Sequence, residues 1–119
     1  MNPDGIWKVN YAVQAPESFS EVADADENGI VVFQNGLVLG RDRYGGEYQG
    51  TYAIEGSTLK VIITVSAYQP DAFPVIPDVT FPFILELTGE YISPDFLSVK
   101  GGVVGAQVLP LVVNCHRIM

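Results

Sequence analysis

The chain has 119 residues, 48% of them apolar and 17% charged, which fits one globular domain with its own core and excludes a disordered segment. Fourteen acids against six bases give a net charge of −8, and among the bases (Lys8, Arg41, Arg43, Lys60, Lys100 and Arg117) only Arg41 and Arg43 are close in sequence. A nucleic-acid binder needs clustered Lys and Arg to displace phosphate counterions, so this composition argues against direct DNA or RNA binding; an acidic surface suits solubility or docking to a basic protein partner.

The single Cys115 has no intrachain disulfide partner, which fits a reducing compartment. The opening stretch MNPDGIWKVNY lacks the basic start and apolar core of a secretion signal. The most apolar run, Val103 to Val113, is too short to span a bilayer and is interrupted by Gly105, Gln107 and Pro110. These features predict a cytoplasmic protein without a membrane partner.

Asp4-Gly5 opens a first strand, about Ile6 to Val13, with Trp7, Val9, Tyr11 and Val13 on one face and Lys8 and Asn10 on the other. From Ala15 to Glu27 the alternation breaks. This stretch holds Pro16, five acids and no base, and reads as an acidic loop or a single helical turn over Glu17 to Ala23. A second strand, Ile30 to Gln34, meets a third, Leu37 to Asp42, across Asn35-Gly36. That pair is the strongest short hairpin signal, because a type I′ turn needs positive φ at both central residues.

Gly45-Gly46 marks the next junction, and in the fourth strand Tyr48, Gly50, Tyr52 and Ile54 share a face. After Glu55-Gly56-Ser57 the fifth strand alternates cleanly, with Leu59, Val61, Ile63, Val65 and Ala67 inward; only Ile62 is apolar on the outer side. Pro70, Pro74 and Pro77 make a stiff connector. The sixth strand places Val79, Phe81, Phe83, Leu85 and Leu87 inward, and Pro82 requires an edge or a bulge. Ser93-Pro94-Asp95 turns the chain into a seventh strand, Phe96 to Lys100. Gly101, Gly102 and Gly105 loosen the chain beyond that strand. An eighth strand, about Val108 to Ile118, carries Leu109, Leu111, Val113, Cys115 and Arg117 on one face.

Some eight short strands joined by tight turns predict an all-β chain. The most economical closure is a small eight-stranded antiparallel up-and-down barrel over residues 1–119, with a two-sheet sandwich as the alternative.

Asp4-Gly5-Ile6-Trp7, Asn28-Gly29-Ile30-Val31-Val32, Asn35-Gly36, Gly40 and Tyr48-Gln49-Gly50-Thr51-Tyr52 together resemble the GrlR family, small bacterial negative regulators of type III secretion genes. The resemblance covers about the first half of the chain. It implies a calycin-like barrel that dimerises and acts by holding a protein partner, a transcriptional activator, rather than DNA. Where the family carries an acidic run after the tyrosine-glycine strand, this chain has Ala53-Ile54-Glu55-Gly56-Ser57. Its acidic residues Glu21, Asp24, Asp26 and Glu27 lie in an earlier loop, and with the Pro70 to Asp78 connector they form the expected partner-binding surface. Gly5-x-Trp7 is also similar to the first-strand signature of lipocalins, in which an Arg of the last strand packs over the Trp. Arg117 lies on the inward face of the last strand, so a Trp7–Arg117 stack is expected.

The chemistry-bearing residues offer little for catalysis. Asp24-Ala-Asp26-Glu-Asn28-Gly29 matches the opening of a calcium loop, but its twelfth position is Asn35 and a strand follows, so an acidic loop is the better reading. Cys115 and His116 are strand neighbours facing opposite sides and cannot form a nucleophile–base pair. Asp42, Glu47, Glu86 and Glu90 read as solvated surface charge, and a single His excludes a multi-histidine metal site. Trp7, Tyr11, Tyr48, Tyr52, Phe81, Phe83 and Arg117 point into the barrel, where they fill the interior or line a small pocket at one mouth. The sequence therefore predicts a non-enzymatic, cofactor-free, GrlR-like regulator. The alternative is a barrel for a small apolar ligand, a lipocalin-like carrier or sensor.

Overall fold

In a computed structural model the chain is all β. The structure describes residues 2–14, 19–21, 29–74, 79–105 and 111–119. Among these residues no helix is long and apolar enough to cross a membrane. The strands are β1 (Gly5–Gln14), β2 (Phe19–Glu21), β3 (Gly29–Gln34), β4 (Leu37–Asp42), β5 (Gly46–Glu55), β6 (Thr58–Ala67), β7 (Phe83–Ser93), β8 (Phe96–Val103) and β9 (Leu111–Arg117).

All pairings are antiparallel, in the order β1-β3-β4-β5-β6-β7-β8-β9, and β9 returns to β1. Trp7 faces Arg117 and Val13 faces Leu111 across that closing seam. The result is a closed eight-stranded antiparallel barrel. The ninth strand, β2, pairs only with the far end of β1, beyond the residues that pair with β3.

Turn chemistry fixes the registers. Asn35 and Gly36 both take positive φ, 51° and 85°, as a type I′ turn requires, and they set Gln34 opposite Leu37. With that register, Val31, Phe33 and Val38 turn inward, because side chains alternate along each strand. They join Trp7, Val9, Tyr48, Leu59, Val61, Val65, Leu85, Leu97, Leu111 and Val113 in one continuous core. Trp7, Val38, Val65 and Leu97 expose no surface, so the barrel interior is filled with side chains.

Several boundaries differ from the sequence expectation. The stretch expected as a loop or helical turn over Glu17 to Ala23 contains β2 at its centre. The expected sixth strand begins four residues later, at Phe83, because Pro82 has no N–H to give to a ladder; Phe81 packs as a half-buried ring 5.9 Å from Phe83. The seventh strand runs on through Gly101 and Gly102, which pair with Leu87 and Glu86 rather than loosening the chain. Ile54 keeps its expected face but is exposed, since β4 stops pairing at Thr51 and the β5–β6 hairpin continues past the barrel rim. The expected start of the last strand, Val108, lies outside the described residues.

Candidate functional site

The end of the barrel that holds the β3–β4 turn is sealed. Trp7 sits there beneath Arg117, its cross-strand partner, whose guanidinium carbon lies 4.4 Å from the ring centroid. This is the stack expected from sequence. Arg117 also donates to the carbonyls of Asp4 (2.7 Å), Asn2 (3.2 Å) and Pro94 (3.3 Å), which ties the first residues of the chain across the mouth. The Trp7 indole N–H donates to the Pro3 carbonyl at 2.8 Å. Asp4 accepts from the Asn35 N–H and from the Tyr52 hydroxyl, and Tyr52 stacks on Phe33 at 5.4 Å. Burial and the Asp4 hydrogen bond hold the Tyr52 phenol above its ordinary pKa. Asp4, Trp7, Asn35, Gly36 and Tyr52, which carry much of the family resemblance, thus meet at one closed mouth.

The opposite end is organised by Asp42. Its carboxylate accepts from the N–H groups of Tyr44 and Gly46, both at 2.9 Å, and from the Tyr48 hydroxyl at 2.7 Å. Asp42 is only 4% exposed, which corrects its expected role as solvated charge. It shares a face with Val38, so alternation turns it inward, and an Asp at the head of a tight turn bonds the N–H two residues on. Residues 68–73 cover this turn. Phe73 donates its N–H to the Tyr44 carbonyl at 3.0 Å, and the two rings lie 5.1 Å apart.

A cleft of about 740 Å³ lies on the outer wall beside this turn, lined by residues of β3, β4 and β5. Ile30, Val32, Leu39, Arg41, Glu47 and Gln49 alternate with the buried positions Val31, Val38 and Tyr48, which places their side chains on the outside. Ile30 is 44% and Leu39 51% exposed, and Leu37 beside them is 53% exposed. Gly40 lies behind them, where β3 and β4 approach so closely that a Cβ would overlap the Ile30 carbonyl oxygen. One edge of the cleft is polar. Arg41 Nη2 lies 3.4 Å from Glu47 Oε2 and its guanidinium covers the Tyr68 ring at 4.4 Å, while Gln49 Nε2 donates to Glu47 Oε1 at 3.4 Å.

The other sequence-derived candidates are dispersed. Tyr48 and Phe83 are core residues, and Tyr52 and Phe81 pack against the core. Tyr11 and Glu21 occupy β1 and β2, but their side chains are not described; Asp24, Asp26 and Glu27 lie outside the described residues, as does the end of the Pro70 to Asp78 connector. Glu86 and Glu90 are exposed on β7. Cys115 is buried and desolvation pushes its thiol up to about 12, whereas His116 faces outward and stacks on Phe96 at 4.7 Å. Among the described residues no group of three His, Cys, Asp or Glu is placed to hold a metal ion.

Sequence reasoning missed the cleft, although a signal was present. Ile30-Val31-Val32-Phe33 and Leu37-Val38-Leu39 are apolar on both faces, and a strand apolar on both faces is one whose outer side also seeks cover. No protein-family model matches the chain, and no curated protein matches it.

Proposed function

We propose that this chain is a non-enzymatic bacterial regulatory protein of the GrlR-like type, acting in the cytoplasm by binding a protein partner. The observation that carries this reading is the contrast between a filled barrel interior and a half-exposed aliphatic outer wall at Ile30, Leu37 and Leu39. A filled interior leaves little room for a carried ligand. Contiguous exposed aliphatic side chains with a polar rim are the usual mark of a protein contact. The groups that chemistry would recruit are otherwise engaged: Asp42 in turn hydrogen bonds, Cys115 inside the core and His116 against Phe96. Homodimer formation, implied by the family resemblance, belongs to the same reading.

Paired affinity purifications from the protein's own cells, with the wild-type chain and a Leu39→Asp variant as baits, test it. The expected result is a protein retained by the first bait and lost by the second. A stoichiometric small apolar molecule in the purified chain, with no Leu39-dependent protein, would refute the reading in favour of a carrier.

A further inference from the structure

We propose that the sealed mouth is a binding site for a short x-Pro-Asp peptide segment, occupied in cis by the chain's own Asn2, Pro3 and Asp4. These three residues form a strap that acts as an internal ligand, and a segment of the same chemistry on another chain is what replaces it. The inference stands apart from the outer-wall contact proposed above.

Donors from four separate elements converge on the strap. From β9, Arg117 donates through Nη1 to the Asp4 carbonyl at 2.7 Å and through Nη2 to the Asn2 carbonyl at 3.2 Å. From β1, the Trp7 indole N–H donates to the Pro3 carbonyl at 2.8 Å. The Asn35 N–H, in the β3–β4 turn, lies 3.3 Å from both carboxylate oxygens of Asp4, and the Tyr52 hydroxyl of β5 donates to one of them. The three carbonyls are groups that any peptide offers, so their bonds set register and direction. Selectivity comes from the side chains, because the Pro3 ring is fully buried and the Asp4 carboxylate takes two donors. A proline with its φ already fixed also lowers the cost of ordering such a segment.

The site is held from outside the strap. Arg117 is fixed by its stack on Trp7 and by its Nε bond to the Pro94 carbonyl at 3.3 Å, and Tyr52 by its stack on Phe33. Donors positioned in this way stay aimed at the mouth when the strap leaves it, which is the preorganisation a second peptide needs. The strap is also built to leave alone. Residues 2–4 belong to no strand, and the ladder begins at Gly5 and Ile6, whose N–H donates to the Met119 carbonyl at 2.9 Å. Gly5 has a φ of 146°, and a Cβ there would come within 2.5 Å of Arg117 Nη1 and of the Met119 carbonyl oxygen. Glycine at this junction lets the strap swing while Ile6 keeps its pairing. Five hydrogen bonds, each of small net worth, stand against the entropy of ordering three residues, so the strap opens well before the barrel unfolds. Tethered at Gly5, it competes at an effective concentration on the order of millimolar, which keeps the mouth closed to a weak outside segment.

The probe is the synthetic peptide acetyl-Asn-Pro-Asp-Gly-amide, titrated to about 10 mM into the isotope-labelled chain and followed by NMR at the Trp7 indole and the Asn35 amide. Both signals should shift saturably. Half-saturation should come at a concentration at least about tenfold lower in Asp4→Ala than in the wild type, since the strap loses its carboxylate while every donor of the site remains. A peptide with Ala in place of Asp should bind at least about tenfold more weakly. Thermal melts establish that the variant is folded, and Pro3→Ala, which weakens the strap at its buried ring, repeats the comparison. No saturable shift in a folded variant, or equal half-saturation in wild type and variants, overturns the proposal, as does a peptide whose Asp is dispensable. Shifts confined to Leu39 and its neighbours would give the peptide to the outer wall and overturn it too. Leu39→Asp leaves the mouth intact, so the outer-wall reading and this one fail separately.

Discussion

Replacing Asp42 with Ala removes the acceptor for two backbone N–H groups and one phenol. The Tyr44 N–H is in a half-buried turn and water can take over part of its bond. The Gly46 N–H and the Tyr48 hydroxyl are buried, and each would be left without its acceptor. A hydrogen bond to a charged group contributes about 1.5–3 kcal/mol, so the loss of two buried ones puts the cost at about 3–6 kcal/mol. That is a large share of the ~5–15 kcal/mol that stabilises a typical domain. Asp42→Asn keeps an oxygen for the two N–H groups and changes only the atom facing Tyr48, so its cost should be near 1.5 kcal/mol, one such bond weakened. Urea unfolding followed by the emission of Trp7, the only tryptophan, reads both variants. With a slope of about 1.5 kcal/mol/M, the Ala variant should shift the midpoint by about 2–4 M and the Asn variant by about 1 M. A double-mutant cycle with Tyr48→Phe should give a coupling above about 1 kcal/mol. Equal losses for Ala and Asn, or additive behaviour in the cycle, would show that Asp42 does not organise this turn.

Tyr91→Phe should act in the opposite direction: the Tyr91 hydroxyl is buried with no hydrogen-bond partner among the described residues, and burial raises its pKa, so Phe should leave stability unchanged or raise it by up to about 1 kcal/mol in a thermal melt. Arg117→Met should cost about 2–3 kcal/mol, from the Trp7 stack and the carbonyl bonds across the mouth, and should shift Trp7 emission to the red; an unchanged spectrum would mean the mouth stays closed without it. Cys115 gives a pH dependence of definite sign. Its folded pKa, about 12, lies above the unfolded value, so its contribution is fully present below about pH 9 and is lost as pH rises toward 12, at up to about 1.4 kcal/mol per pH unit. The loss should shrink in Cys115→Ala, and in the native wild-type chain the thiol should resist disulfide reagents at pH 8. Gly40→Ala should cost more than about 2 kcal/mol, because the added methyl meets the Ile30 carbonyl and the Val31 Cα as well as the Val31 side chain, so backbone has to move.

What the sequence disclosed came from local rules. The Asn35-Gly36 turn, the inward parity of Val61, Ile63 and Val65, and the opposed faces of Cys115 and His116 each need only a strand period and a turn type. The Trp7–Arg117 stack was expected from the likeness of Gly5-x-Trp7 to the lipocalin first strand, together with the inward parity of Arg117 on the last strand. Features that depend on distant partners were not legible. β2 is three residues long and exists because β1 extends past β3 and leaves a free edge there. Asp42 shares parity with Val38, but its burial depends on the Tyr48 hydroxyl reaching it from β5. The cleft required two adjacent strands to be read together, since one outward aliphatic is ordinary surface and a cluster across β3 and β4 is not.

Under the protein-binding reading proposed above, closure of the barrel narrows how a partner is held. Among the described residues the closed ring offers no long strand edge and β2 presents three residues, which makes pairing a partner strand onto the sheet a poor route to affinity. The sealed mouth at Trp7 and the packed interior remove the route that open-mouthed barrels use. Recognition then falls to the outer wall and to the loops at the other end. Around β6, β7 and β8 the described wall mixes Lys60, Thr88, Glu86, Glu90 and Lys100 with the exposed aliphatics Ile62, Ile84 and Val104. Over β3 and β4 the exposed Ile30, Leu37 and Leu39 lie beside a cleft large enough to seat an anchor residue, with the Arg41–Glu47 pair at its edge. Affinity at a protein interface concentrates in such anchors, with the surrounding charges setting partner choice and encounter rate. On that proposed reading, the wall that the Asn35-Gly36 turn brings into register is the part of this barrel that selects the partner.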